Sequence, residues 1–146
     1  MKKEVLELVE KLGLMPHPEG GYYKETYRSK ASTAIYFLLT SDMFSAFHRI
    51  KQDETWHFYK GSPLYVHVID KDGNYIRHIV SADNPQVVVK GGNWFGASVV
   101  EGYSFTLVGC TVAPPFTFDD FELAKRDYLA SMYPEHEELI ERLTRV

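Results

Sequence analysis

The sequence predicts an all-β fold, a sandwich or barrel with helices at either end. Three observations lead there. A helical apolar stripe is confined to the first dozen residues. The middle of the chain is a series of short runs rich in Tyr, Phe, Val, Ile and Thr, separated by turn residues. Helical spacing returns only after Pro114-Pro115. At 146 residues and 16.8 kDa the chain is read as a single domain, 1–146. That length is enough to bury one sizeable core.

Taken in order, Val5, Leu8, Val9 and Leu12 stand at i, i+3, i+4 and i+7, one face of a helix that Gly13 stops. The prolines and paired glycines of Met15–Gly21 predict irregular chain. Strands are predicted at 22–27, 33–39, 44–50, 55–59, 64–69, 75–80, 86–89, 95–100 and 104–112. Asp72-Gly73 between VHVID and YIRHIV is the best hairpin signal. Gly61-Ser62-Pro63, Asp83-Asn84-Pro85, Gly91-Gly92-Asn93 and Glu101-Gly102 punctuate most of the rest. Many short strands with no helix between them indicate sheets packed or closed on themselves. Asp119 or Asp120 is the expected N-cap of a helix over FELAKRDYLASMY, and Pro134 suits the first turn of a helix ending near Leu143.

Sixteen basic and twenty acidic side chains give a formal net charge of -4, with a pI near 5.8. This argues against a nucleic-acid binder, which needs a basic patch, and against adhesion to an anionic membrane. A single cysteine, Cys110, leaves no intramolecular disulfide and no zinc site of several thiolates. It lies in the apolar run LVGCTVA with no cation beside it, as expected of an inert buried thiol. No apolar run reaches membrane-span length, and MKKEVLELVEKL does not read as a signal peptide. A cytoplasmic address is the expectation.

Chemistry-bearing residues concentrate between Ser45 and Gly61. Because strand side chains alternate, Ala46, His48 and Ile50 share one face, with Phe47 and Arg49 on the other. On the next run Glu54, Trp56 and Phe58 oppose Thr55, His57 and Tyr59. With Ala46 and Ile50 inward, His48 is inward too, within reach of Glu54. Such a couple is a ligand set, a general base with its orienter, or a satisfied buried hydrogen-bonded pair. Trp56, Phe58 and Tyr59 are read as core or rim residues and not as a special cage. Arg49 is either an anion contact or a surface partner of Asp53. His67, His78 and His136 have no clustered partners and are read as surface or packing residues.

His48, Glu54 and Gly61 resemble the first motif of the cupin superfamily, with Ile50 where the second histidine would stand. The second motif would fall on Lys90–Phe95, where Lys90 replaces its proline and Phe95 its histidine. Across nearly the whole chain the sequence resembles the cupin-5 (DUF985) family. The carrying segments are His17–Tyr23, Glu25–Ser29, Thr33–Leu39, Phe47–Arg49, Trp56–Gly61, Leu107–Pro114 and Phe118–Ala124. The resemblance implies a double-stranded β-helix, the jelly-roll barrel of RmlC-like proteins. It also implies a homodimer, for which Tyr22–Tyr27 and Ala34–Phe37 are the interface candidates.

It implies further a barrel that binds a small polar metabolite, with a carbohydrate or nucleotide-sugar derivative the leading class. Two of four expected metal ligands are replaced, so no metal or other cofactor is expected. The chemistry implied is metal-independent epimerisation or isomerisation, as in sugar epimerases of similar fold. His48 is then the base, Glu54 its orienter or a ligand contact, and Tyr36 the first candidate acid, ahead of Tyr22 and Tyr103. Glu19, Tyr22, Arg49, Trp56, His57, Asn93 and Phe95 are the ligand-binding candidates. Three readings compete: a metabolite sensor without turnover, a structural barrel, and a metal-dependent oxygenase or isomerase through His48, Glu54 and His57. The last needs a bulge near Gln52-Asp53 to turn His57 inward.

Overall fold

The computed structural model describes residues 2–145. Helix α1 (Lys2–Leu12) precedes eleven strands: β1 (Met15–Pro16), β2 (Tyr22–Arg28), β3 (Thr33–Thr40), β4 (Phe44–Arg49), β5 (Asp53–Gly61), β6 (Leu64–Ile69), β7 (Tyr75–Val80), β8 (Gln86–Val89), β9 (Trp94–Val99), β10 (Phe105–Ala113) and β11 (Glu122–Leu123). Helices α2 (Arg126–Met132) and α3 (Glu137–Arg142) close the chain. The strands form two antiparallel sheets, ordered β1-β2-β3-β10-β5-β8 and β11-β4-β9-β6-β7. This is the jelly-roll expectation met. Among the described residues no helix is long and apolar enough to cross a membrane.

Alternation places the core. Phe37 and Leu39 of β3, Trp56 of β5, Val66 and Val68 of β6, Phe95 of β9 and Val108 of β10 form one interior cluster with Ile50. Fully burying such a side chain stabilises by about 1.5–3 kcal/mol. The opposite faces carry the helices. Val5 and Leu14 pack with Leu38, Phe105 and Leu107 outside the six-stranded sheet. Leu129, Ile140 and Leu143 pack with Phe47, Ile69 and Trp94 outside the five-stranded one. Phe47 thus faces the helices while Ala46, His48 and Ile50 turn inward.

Two expectations need correction. The Met15–Gly21 stretch is not wholly irregular: Met15 and Pro16 pair with Tyr23 and Tyr22, closing a hairpin around residues 17–21. The helix expected over 121–133 begins only at Arg126, after a 3-10 turn at Phe118–Asp120 and strand β11. Neither Asp119 nor Asp120 caps it; Lys125 occupies the N-cap. Sheet pairing overrides helical propensity here. Glu122 and Leu123 complete the edge beside Arg49 and His48, and Ala124 N–H donates to Phe47 O at 2.9 Å.

Candidate functional site

A cavity of about 170 Å³ opens at one place in the barrel, lined by β2, β3, β4, β5, β10, the 17–21 loop and the 116–121 segment. His48 and Glu54 both reach it, from the adjacent chain segments of β4 and β5. His48 is buried, and its ring lies between Phe95, with centroids 4.1 Å apart, and Phe121, stacked at 5.3 Å. Its Nδ1 is 2.7 Å from Ala46 O. A carbonyl only accepts, so Nδ1 carries the proton and donates it, and the Nε2 lone pair is left free for the cavity.

The partner of that nitrogen is not Glu54. Glu19 Oε1 lies 3.8 Å from His48 Nε2, and Glu19 Oε2 meets His17 Nδ1. Glu54 as the orienter of His48 is therefore corrected: the Ala46 carbonyl sets the tautomer, and Glu19 faces the ring. The hairpin that carries Glu19 is tightly held. Glu19 O accepts from Ala46 N–H at 2.9 Å and from Arg145 Nη1 at 2.8 Å. Gly20 has φ +115, and a Cβ there would strike the Phe44 carbonyl, so only glycine fits this turn.

Electrostatics separates the two carboxyls. Burial drives the Glu54 carboxyl up to about 8, and the Glu19 carboxylate adds to the rise. The Trp56 indole opposes this without closing a hydrogen bond, and its Nε1 is buried and unpartnered among the described residues. Burial would also raise Glu19, but His48 and His17 outweigh it and the carboxyl lies below its ordinary value. Burial lowers His48, against the pull of Glu19 and the Ala46 carbonyl. At neutral pH His48 is a neutral imidazole, Glu19 a carboxylate and Glu54 a neutral carboxylic acid.

The remaining walls are apolar or aromatic. Phe37 and Trp56 meet edge to face at 6.0 Å, and Phe116, Phe118 and Phe121 form a second aromatic group over the opening. Glu25 and Arg28 stand at the mouth, bonded to each other at 2.6 Å, with Arg28 also donating to Phe116 O at 2.9 Å. The Cys110 thiol lines the cavity, and burial, helped by Glu54 and Glu19, pushes it well above its ordinary value.

Of the residues singled out from sequence, His48, Glu54, Glu19 and Trp56 line this cavity. The others do not. Tyr36 lies outside: its neighbours Ile35 and Phe37 line the cavity, while its own ring meets Tyr59 at 6.2 Å and packs toward α1. Tyr22 also packs toward α1, and the cavity tyrosine is Tyr23, edge-on to His17 at 4.5 Å. Tyr103, a weaker acid candidate, is almost wholly exposed in a loop. Arg49 pairs with Glu122 at 2.8 Å, not with Asp53, and lies over Trp94. Asn93 sits in the turn before β9, its N–H donating to Lys90 O at 3.3 Å. Phe95 backs the His48 ring without lining the cavity.

His57 stays on the outer face, where its Nε2 is 2.9 Å from Thr111 Oγ1. Glu54 to His57 pair in unbroken register with Val112 to Gly109, and the irregularity falls only beyond Phe58. Sequence reasoning did not single out His17, Tyr23, Phe37, Phe116 or Phe121 as site residues. The available signal was the density of Phe in 116–121, a segment with no strand pattern.

The sequence model of the family described as "Cupin superfamily (DUF985)" matches residues 6–124. The chain belongs to this cupin family. Protein SO0799 of Shewanella oneidensis is 37% identical, with a TM-score of 0.91 over 95% of this chain and 96% of that one. A hypothetical protein from Leishmania major is 36% identical, with a TM-score of 0.90 over 97% and 98%. Oxalate decarboxylase from Bacillus subtilis shares the fold at 14% identity and a TM-score of 0.63, covering 88% of this chain and 36% of that one. A search of curated proteins found no match.

The cupin fold supports a barrel that binds small molecules, and its familiar resident is a metal ion. The donors here do not fit one. Among the described residues no three His, Cys, Asp or Glu side chains converge as a metal site. His57 is turned outward, and Ile50 and Phe95 occupy the positions where the motif would place histidines.

Proposed function

We propose that this cupin binds a compact polar metabolite and moves a proton on it without a metal, in an isomerase-type reaction. The observation that carries the reading is that His48 Nε2, with its tautomer set by the Ala46 carbonyl, and the enclosed Glu54 carboxyl open onto one small cavity. His48 is neutral and so able to take a proton; Glu54 is protonated below about pH 8 and able to give one. Opposed protonation states of this kind are how one site supplies both acid and base near pH 7. Glu54 thereby takes the acid role expected of Tyr36. The volume supports a guest of about one six-membered ring, since a cavity of roughly 150 Å³ holds benzene. A sugar ring fits that measure better than a nucleotide sugar, whose phosphates would find the lining arginine, Arg28, already engaged.

The test is solvent exchange. Compact sugars, keto acids and amines are incubated with the protein in deuterium oxide, and label entering the recovered compound is read by mass spectrometry. Incorporation by the wild type, lost at least a hundredfold in His48→Ala with the fold retained by circular dichroism, is the expected result. Unchanged incorporation in His48→Ala would remove His48 as the base. A compound that raises the melting temperature but never acquires label would leave a binding cupin without turnover.

A further inference from the structure

We propose that the guest of this cavity is a compact organic ammonium, a protonated primary or secondary amine held between Glu19 Oε1 and His48 Nε2. The inference rests on the reading that the cavity is a small-molecule site, names the class of molecule, and makes His48 Nε2 a hydrogen-bond acceptor toward the bound guest before it takes up a proton.

Two acceptors face each other in the cavity. His48 Nδ1–H is committed to Ala46 O, so Nε2 presents a lone pair. Glu19 Oε1 faces it at 3.8 Å, beyond hydrogen-bonding reach. Glu19 is buried, its Oε2 lies against His17 Nδ1 without a hydrogen bond among the described residues, and the contact of Oε1 is the distant His48 ring. Two acceptors that face each other with no proton between them are completed by a group bearing at least two donors. A primary or secondary ammonium supplies two N–H groups and the charge that Glu19 lacks a lysine or arginine to balance.

The walls favour the same guest. Trp56, Phe37, Tyr23 and Phe121 offer aromatic surface, and a cation over such faces is attracted by the ring quadrupole, the more so when desolvated. The arginine on the lining, Arg28, is spent on Glu25 and the Phe116 carbonyl, so an anionic guest would meet a carboxylate and no free cation. Glu54 acts in the same direction: it is neutral at pH 7 and adds a negative charge above about pH 8.

The experiment is calorimetric titration of the full chain at pH 7 with four probes of one size: cyclopentylamine, cyclopentanol, cyclopentanecarboxylate and N,N,N-trimethylcyclopentylammonium. The expected order places cyclopentylamine at least tenfold tighter than cyclopentanol, as a charged hydrogen bond requires. The quaternary ion follows cyclopentylamine because it has charge but no N–H, and the carboxylate shows no heat. Glu19→Gln, checked for folding by circular dichroism, is expected to bring cyclopentylamine to the level of cyclopentanol. Cyclopentanol or the carboxylate binding as tightly as the amine overturns the ammonium assignment and leaves the cavity a binding site. Heat from none of the four overturns both.

Discussion

Glu54 offers the sharpest test of the electrostatics. Its carboxyl titrates near 8 in the folded protein against 4.5 ordinarily, because burial and the Glu19 carboxylate disfavour its charge. Between these values the folded state binds a proton that the unfolded state has released, so stability falls as pH rises toward 8 and levels off above it. The whole span, at about 1.4 kcal/mol per pH unit, sets a ceiling near 5 kcal/mol. The window from pH 7 to 9 is cleaner, because the lowered histidines His48, His67 and His78 are mostly neutral in both states there and their small remainder is common to wild type and variant. Within it the wild type should lose roughly 1.4 kcal/mol, the weight of one proton held with a pKa of about 8. Glu54→Gln keeps the neutral amide in place of the acid and should lose almost none of this. Urea unfolding followed by tryptophan fluorescence, at half-unit pH steps, measures both. If the variant declines in step with the wild type, the pH dependence comes from another group and Glu54 is not the buried acid.

Two further expectations concern the loop and the second buried histidine. Gly20→Ala places a Cβ against the Phe44 carbonyl at a φ of +115, so it should destabilise by about 1–3 kcal/mol and abolish ligand-induced thermal shifts; a change within 0.5 kcal/mol would show the turn to be pliable. His67, held between Tyr75 Oη at 2.7 Å and Ser98 Oγ at 2.8 Å, is pulled down to about 4 by burial, with Arg142 and Arg77 adding to it. Its share of stability is present above pH 6.5 and lost as pH falls toward 4, worth up to about 3 kcal/mol; an NMR titration in which the ring protonates near 6.5 would refute it.

The sheet architecture was legible because the strand runs alternate and carry turn residues between them, so period and punctuation agreed. The inward placement of His48 was legible for the same reason: Ala46 and Ile50 fix the parity of β4. Tyr36 was not. The run TAIYFLL is apolar on both faces, since Phe37 and Leu39 enter the barrel while Leu38 packs under α1, and parity cannot be read from such a run. His17 was hidden by its neighbours. A Pro- and Gly-rich hairpin has no periodicity, and the chain entering it is aimed by contacts 24 to 126 residues away, at Ala46, Phe44 and Arg145. The helix expected over 121–133 failed because a short strand needs only an open sheet edge, which lies outside the segment itself.

The replacements at the two motif positions explain why the site separates its charges. Phe95 fills the place of a ligand with a ring that packs on His48, and Ile50 fills the other with a side chain of the core. Removing two imidazoles leaves two carboxyls in a small apolar space without a cation to share. At neutral pH only one of them is ionised. Glu19 prevails because its hairpin brings His17 to one oxygen and His48 near the other. Glu54, with an indole and a thiol for company, keeps its proton. The side chains at the two motif positions and the opposed protonation of the two carboxyls therefore belong to the chemistry of one region of the barrel.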